Sequence, residues 1–280
     1  MKKYIDVSEH QGNIAFEALK SHVDGVIIRA GYGRGNIDKQ AVRNFAECNR
    51  LGIPCGAYWF SYAYTPEMAK YEATCLLNVV KPYELELPLA FDFEYDSYNY
   101  GVKKGANVTP ALVKSMTNAF CQTVEASGYW CMLYANADYI NRFFENLANR
   151  YDLWLAQWPS STPNLASPPR NCGIWQWTSK GSVPGISGNV DTNEAYKDYA
   201  EYLREHGFNR LKPKDEDPPV VTEPTPTTEP EPEKPDLHAE AMAWAKENGL
   251  TVNDDLVTKA DICEMFYLMD KKYSGLLEDD

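Results

Sequence analysis

Apolar and polar positions along the first part of the chain alternate between two patterns. Short, almost continuous apolar runs predict buried strands, and longer stretches with apolar residues three or four positions apart predict helices. Strands are predicted at Tyr4–Val7, Gly25–Ala30, Cys55–Ser61, Leu87–Glu94 and Tyr129–Ala135. Helices are predicted between and after them, at Ile14–His22, Asp38–Leu51, Pro66–Lys81, from Pro110 to a stop at Gly128, and at Asp138–Asn149. This order of elements is typical of parallel βαβ units.

The pattern changes after the fifth unit. Three further strands are predicted at Leu153–Trp158, Gly173–Thr178 and Asn189–Asp191, and the segments that join them contain too much Pro, Gly and Ser for helices. A final helix is predicted at Glu194–His206, and the aromatic and polar stretch that follows Glu94 (EYDSYNYGVKKGAN) is interpreted as a loop. The fold class predicted is α/β, an eight-stranded barrel that is regular for five units and irregular for the last three.

The fourth predicted strand, LPLAFDFE, ends in two carboxylates. In an extended strand alternate side chains share a face, so Asp92 and Glu94 are expected on one side and Phe91 and Phe93 on the other. Closure of the barrel would place the eighth strand beside the first, which makes Asp191 and Asp6 neighbours. Because the active sites of such barrels lie at the carboxyl ends of the strands, these four carboxylates are the candidate catalytic residues.

Each of these carboxylates has a structural alternative. Asp6 could cap the turn that begins at SEHQG, and Asp191 could cap the last helix. The pair Asp92 and Glu94 could form a salt bridge with Arg29.

Charge divides the chain into unequal parts. Residues 212–280 carry 18 acidic and 7 basic side chains, out of totals of 40 and 27. Residues 212–236 contain eight prolines and eight acidic residues, which is typical of an extended, semi-rigid linker. We therefore predict a barrel at 1–211 that carries the candidate catalytic residues, a linker at 212–236, and a small module of two amphipathic helices at 237–280.

Several classes of protein are excluded by composition. The chain lacks a basic patch for nucleic acid, and an acidic tail disfavours an anionic membrane surface. The first apolar run is interrupted by Asp6, so no secretory signal is expected. Seven scattered cysteines without a C-x-x-C pair are typical of reduced thiols, and His10 and His22 lack partners at metal-ligand spacing. No metal or other cofactor is expected.

An ordered set of segments resembles the glycoside hydrolase family 25 lysozymes. The matching segments are YIDVSEHQG, GVIIRAGYG, GAYWFSYA, PLAFDFE, LYAN, LWLAQW and IWQWTSKGSVPGISGNVDTN. The resemblance covers residues 1 to about 210 and implies a (β/α)5β3 barrel that hydrolyses the β-1,4 bond between N-acetylmuramic acid and N-acetylglucosamine in peptidoglycan. Two departures are visible: VDTN, where an aliphatic residue more often follows the Asp, and YWF, where the family often has Tyr-His-Phe and where a sugar subsite could be altered.

The chemistry of glycoside cleavage assigns roles to the four carboxylates. Glu94 is the candidate general acid, because a carboxyl group at the end of an apolar strand is expected to keep its proton near neutrality. Asp92 is either the nucleophile or the group that orients the substrate's 2-acetamido group, and Asp6 and Asp191 are expected to tune Glu94 and hold the sugar. Candidates for the sugar groove, each of which could instead be a core residue, are Tyr58, Gln176, Tyr32, Tyr62, Tyr134 and Trp158.

The expected absence of a signal and the predicted appended module resemble phage endolysins, which are made in the host cytoplasm and reach the wall through a holin pore. The module at 237–280 is therefore predicted to bind the cell wall or to self-associate as a homo-oligomer. Two other functions remain open at this point. One is a glycan-binding barrel without catalysis, and the other is a glycosidase that acts on chitin-like polymers.

Overall fold

A computed structural model of the chain describes residues 1–144 and 147–212. The strands are β1 Lys2–Val7, β2 Gly25–Tyr32, β3 Asn36–Ile37, β4 Cys55–Phe60, β5 Leu89–Asp92, β6 Cys131–Asn136, β7 Asp152–Ala156, β8 Ile174–Gly181 and β9 Val190–Ala195. The α-helices are α1 Phe16–Leu19, α2 Ala41–Leu51, α3 Pro66–Val80, α4 Tyr95–Lys103, α5 Pro110–Ala126, α6 Ala137–Tyr139 and α7 Tyr199–Glu205. The predicted helical module and residues 213–236 of the predicted linker lie outside the described residues.

Eight of the described strands close a barrel. The strands β1, β2, β4, β5, β6, β7 and β8 follow one another in parallel, and β9 lies antiparallel between β8 and β1. The two-residue β3 pairs with the end of β2 outside this ring. The predicted α/β barrel, regular at first and irregular in its last three strands, is confirmed.

The alternation of side chains along β5 divides the core into two layers. Ala90 packs inside the barrel with residues such as Ile27 and Trp154. Leu89, Phe91 and Phe93 belong instead to the layer between the barrel and the helices. The ring of Phe91 lies 4.9 Å from that of Phe120 on α5. The outward aromatic face predicted for LPLAFDFE is therefore observed, although β5 itself ends at Asp92.

The starts of the two longest helices follow from their sequence. The hydroxyl of Thr65 accepts a hydrogen bond from the Met68 N–H at the start of α3, and that of Thr109 accepts one from the Leu112 N–H at the start of α5. Each cap is followed by a proline at the first helical position, where a missing N–H costs nothing.

Three predicted elements are clearly wrong in type or extent. The stretch after Glu94, interpreted as a loop, contains the nine-residue helix α4. The helix predicted from Asp138 is a single α-turn, α6, continued by a π-helix at Ile140–Phe144. The last helix begins at Tyr199 and not at Glu194, because Val190–Ala195 is a strand that satisfies its backbone groups by pairing with β1 and β8. Asp191 thus lies near the beginning of an antiparallel strand.

The opposite end of the barrel is closed by Asn209. Its side-chain oxygen accepts the Trp130 N–H at 2.8 Å, and its amide nitrogen donates to the carbonyls of Leu85 and Leu87 at 2.9 Å. The backbone of Asn209 is left-handed, with φ of 55°, a conformation that Asn tolerates better than most residues. These bonds attach the segment up to Leu211 to the barrel. Among the described residues, no helix has the length and apolar character needed to span a membrane.

Candidate active site

The four predicted carboxylates meet at one end of the barrel. Asp6 on β1 and Asp191 on β9 are directly opposite each other in the antiparallel ladder, as barrel closure predicts. Asp92 is the last residue of β5, and Glu94 follows two residues later in an extended conformation, with φ −125° and ψ −170°. All four line a cleft of about 820 Å³ at this end of the barrel.

The structural alternatives for these carboxylates are not observed. Ser8 caps the short 3₁₀ helix after β1, because its hydroxyl accepts the His10 N–H. Asp198 caps α7 through the Glu201 N–H. Arg29 forms its ion pairs with Asp38 and Glu9, at 2.7 and 3.2 Å.

Asp6 is held by two amide side chains. One of its oxygens accepts hydrogen bonds from Gln176 Nε2 at 3.0 Å and from Asn193 Nδ2 at 2.8 Å. The Trp154 indole N–H fixes the orientation of Asn193 by donating to Asn193 Oδ1 at 2.7 Å. The Tyr134 hydroxyl does the same for Gln176, donating to Gln176 Oε1 at 3.0 Å. Both amides therefore present their N–H groups to Asp6.

Four of the six predicted groove residues line the cleft: Tyr58, Tyr134, Trp158 and Gln176. Trp158 is 56% exposed, and its indole N–H donates to Gln176 Oε1 at 3.1 Å. Tyr58 and Tyr134 both pack edge-on against the Trp154 ring, with centroids 5.9 and 4.7 Å away. The amide of Gln176 is buried and bonded at both ends to protein groups, so it orients Asp6.

Tyr32 and Tyr62 do not line the cleft, and their place in a sugar groove stays a prediction. The β2–β4 pairing shifts register between Arg29 and Gly31, which interrupts the inward and outward alternation before Tyr32. The Tyr32 ring lies 5.4 Å from the Arg29 guanidinium, and the Tyr62 ring packs on Phe60. In the sequence, Tyr32, Tyr58 and Tyr62 all lie within or just after a predicted strand, so their positions alone do not show which of them faces the cleft.

Burial raises the pKa of all four carboxyl groups. The pKa of Asp6 rises to about 8, because burial and then the charge of Asp191 disfavour ionisation. Burial, Glu94 and Asp6 together raise the pKa of Asp92 well above its ordinary value. Burial, Asp96 and Asp191 raise the pKa of Glu94 to about 7, and burial raises that of Asp191 to about 6. Several of these groups therefore hold protons at pH values where free carboxyl groups are ionised.

Comparison with known families agrees with this geometry. The model of the family described as "Glycosyl hydrolases family 25" matches residues 5–186. The chain belongs to this family.

Several relatives of this family 25 chain are known. The autolytic lysozyme of Clostridium acetobutylicum is 25% identical over 193 residues, which cover 69% of this chain and 55% of the relative. The modular autolysin LytC of Streptococcus pneumoniae is 30% identical, with a TM-score of 0.58, over 69% of this chain and 46% of LytC. The CTP1L endolysin is 27% identical, with a TM-score of 0.60, over 72% of this chain and 69% of its own. The chain thus spans about half the length of the Clostridium lysozyme and of LytC.

The two departures from the family pattern, Trp59 and Thr192, are both buried. Trp59 is fully buried in the outer layer, and its indole N–H donates to the Gly33 carbonyl at 3.1 Å. It is absent from the cleft lining, so the expected effect on a sugar subsite is not observed. Thr192, beside Asp191, is buried, and its hydroxyl has no hydrogen-bond partner within residues 1–144 and 147–212.

Asn193 and Trp154 are the residues that the sequence reasoning missed. Trp154 lies in the segment LWLAQW, and Asn193 lies in the segment NVDTN; both segments are part of the family resemblance. The alternation of side chains along a strand could have identified Asn193. It is two residues from Asp191 on β9, so the two side chains share a face of the strand.

Asp6→Asn is expected to make stability less dependent on pH. Since folding raises the pKa of Asp6, the native state binds an extra proton between about pH 4 and pH 8, and the unfolding free energy falls as pH rises through this range. The substitution removes that contribution, so from pH 5 to pH 8 the variant should lose about 3 to 4 kcal/mol less unfolding free energy than the parent. Urea unfolding at both pH values measures this difference.

The exposed Asp24, substituted by Asn, is the matched control and should leave the difference between the two pH values unchanged. A parent protein whose unfolding free energy is the same at pH 5 and pH 8 would contradict the expectation.

Proposed function

We propose that this chain is a β-1,4-N-acetylmuramidase of the endolysin type, which hydrolyses the bond between N-acetylmuramic acid and N-acetylglucosamine in bacterial peptidoglycan. The observation that carries the proposal is the adjacent Asp92 and Glu94 at the carboxyl end of β5, inside a cleft that also contains Asp6 and Asp191. Family membership supports it, as do relatives named lysozyme, autolysin and endolysin. LytC has also been crystallised with a synthetic peptidoglycan ligand.

Glu94 is the proposed general acid. Glycoside cleavage requires a proton for the leaving oxygen, and a carboxyl group with a pKa of about 7 is still protonated in much of the protein at neutral pH. Its backbone N–H donates to the Ser97 hydroxyl at 3.0 Å, which fixes the residue at the start of α4. The acid is therefore presented from a defined backbone position.

Asp92 is proposed to act beside it on the sugar that carries the scissile bond. The side chain is 2% exposed, and its Oδ1 has no hydrogen-bond partner among the described residues. A buried carboxylate oxygen without a donor is costly, and a substrate N–H or a reacting carbon at this position would relieve that cost. Asp6 and Asp191 are proposed to tune the pKa of Glu94, which burial, Asp96 and Asp191 raise, and to hold the sugar.

Tyr58, Tyr134 and Trp158 are proposed to bind the glycan. Aromatic rings stack on the apolar faces of pyranose rings, and Trp158 offers a half-exposed ring at the edge of the cleft. A glycan strand is long, so binding along an open cleft suits it better than binding in an enclosed pocket.

The organisation beyond the barrel is also a proposal. The bonds of Asn209 and the buried Leu211 support a catalytic barrel that ends near residue 211. A separable tail that binds the wall or self-associates, synthesis in a host cytoplasm and release through a holin pore stay predictions.

Analysis of reducing ends in digested walls tests the proposed function. Purified peptidoglycan is incubated with the full chain, reduced with borohydride and hydrolysed, and the sugar alcohols are identified. Muramitol is the expected product, since cleavage on the reducing side of N-acetylmuramic acid frees that sugar. Glucosaminitol alone would show that a different bond is cut.

The same experiment separates the two other functions. Sedimentation of the chain with walls, without any new reducing ends, would indicate a glycan-binding barrel. Release of soluble sugars from chitin at the rate seen with peptidoglycan would indicate a glycosidase for chitin-like polymers.

A further inference from the structure

Glu72 is a buried carboxylate that the proposed chemistry does not use. It lies on α3, outside the barrel strands, and is 1% exposed. Burial raises its pKa to about 7, and only hydrogen bonds from Ser61 and Tyr62 oppose that rise. Because a carboxyl group buried in this way is costly without compensating hydrogen bonds, the groups that bond to Glu72 indicate its purpose.

Both oxygens of Glu72 are bonded to the turn that follows β4. Oε2 accepts the Ser61 hydroxyl at 2.5 Å, and Oε1 accepts the Tyr62 N–H at 2.9 Å. The Ser61 oxygen in turn accepts the Ala63 N–H at 3.1 Å. Three consecutive residues of the turn are thus fixed, directly or through one hydroxyl, by a single side chain of α3.

The same turn is bonded to the backbone of Asp92. Phe60, the last residue of β4, pairs with Asp92 in the parallel ladder. One residue further, the Ser61 N–H donates to the Asp92 carbonyl at 2.9 Å. A continuous set of hydrogen bonds therefore leads from Glu72 through Ser61 to the residue that carries one of the two central carboxylates, two positions before Glu94.

We propose that Glu72 is a positioning residue for Asp92 and Glu94, acting through Ser61 and the backbone carbonyl of Asp92. This role rests on the proposed muramidase function. It has a simple physical reason: a general acid works only within hydrogen-bond reach of the atom it protonates, and small displacements of a reacting group cost large factors in rate. The Glu72 carboxylate fixes β5 where the strand ends and regular β pairing no longer holds the chain.

Glu72→Gln and Ser61→Ala test this role, alone and together. Glutamine keeps the size of Glu72 and can still accept the Tyr62 N–H, but it no longer offers Ser61 a carboxylate. Each single variant should lower kcat on soluble glycan strands about tenfold, with KM changed less than twofold. The double variant should lose no more than either single one, because both changes remove the hydrogen bond that the Ser61 hydroxyl donates to the Glu72 carboxylate.

Thr117→Val is the matched control. Thr117 is also fully buried, and its hydroxyl donates to the Val113 carbonyl at 2.8 Å within α5, away from the turn. This variant should lose unfolding free energy in urea while its kcat stays within twofold of the parent. All rates are measured well below the unfolding midpoint of each variant, so that a loss of kcat reports position and not unfolded protein.

Glu94→Gln is measured in the same series to separate the two proposals. If it is inactive while Glu72→Gln and Ser61→Ala keep the parental kcat and lose only stability, the positioning role is overturned and the proposed function stands. Additive losses in the double variant would also overturn it, because Ser61 would then not transmit the effect. Full hydrolysis by Glu94→Gln would overturn the proposed function and the positioning role together.

Discussion

Glu94→Gln is expected to lower kcat on peptidoglycan by about 10²- to 10⁴-fold, the usual contribution of a positioned general acid. The amide has nearly the shape of the carboxyl group but cannot release a proton to the leaving oxygen. Burial raises the pKa of Glu94 to about 7, so the parent should also lose activity as pH rises through this value and the acid becomes ionised. That decline should be absent from the residual activity of the variant. Reducing ends released at pH 5 to pH 9 measure both effects.

A substrate that needs no proton provides the decisive comparison for Glu94. A dinitrophenyl glycoside has a leaving group that departs as an anion, so the variant should cleave it with a much smaller loss. Glu125→Gln on α5, where the carboxylate pairs with Arg150 at the surface, is the control and should behave like the parent. Activity of Glu94→Gln on peptidoglycan within tenfold of the parent would contradict the role of general acid.

Most of the barrel could be predicted because its strands carry a strong local signal. Runs such as GVIIRA and CGAYWF are apolar on both faces, as parallel strands covered by helices must be. The helices α3 and α5 each begin with a Thr cap followed by Pro, which is a recognisable start signal in the sequence. These features depend on near neighbours in the sequence, so the pattern alone was sufficient.

The missed elements are those whose stability comes from distant residues. The strand β9, VDTNEA, is mostly polar and pairs with β1 and β8 on its two sides, so its extent depends on chain segments far away. Helix α4 has a weak apolar pattern, yet Gly101 on it packs closely against Val108 and Tyr64. Tertiary contacts overrode local preference in both cases.

The same distinction applies to the candidate site. The neighbours Asp6 and Asp191 could be predicted, since barrel closure brings the first and last strands together whatever their exact register. The amides of Gln176 and Asn193 that bond to Asp6 could not, because a shift of one residue would turn them away from it. Knowing which strands meet was enough for the carboxylates, whereas the hydrogen bonds required the register itself.

Asp92→Asn is expected to lower kcat on peptidoglycan about 10²-fold or more. The cause of this loss depends on whether Asp92 is the nucleophile or orients the substrate's 2-acetamido group. In a retaining glycosidase with an enzyme nucleophile, the two carboxyl groups flank the scissile bond about 5 to 5.5 Å apart. Here Asp92 is the last residue of β5 and Glu94 follows it by two residues, so both carboxyl groups extend from one short segment. We therefore expect Asp92 to orient the substrate's 2-acetamido group, which then attacks the anomeric carbon.

If Asp92 orients the acetamido group, no sugar becomes attached to the protein. A thiazoline analogue of the cyclised intermediate should then inhibit the parent and bind Asp92→Asn more weakly, because the amide cannot accept the ring N–H as a carboxylate does. The dinitrophenyl glycoside should not rescue Asp92→Asn, in contrast to Glu94→Gln, since the attack that Asp92 assists is needed to displace any leaving group. Mass spectrometry after treatment with a fluorinated glycoside gives the opposing test: one added glycosyl unit mapped to Asp92 would make it the nucleophile.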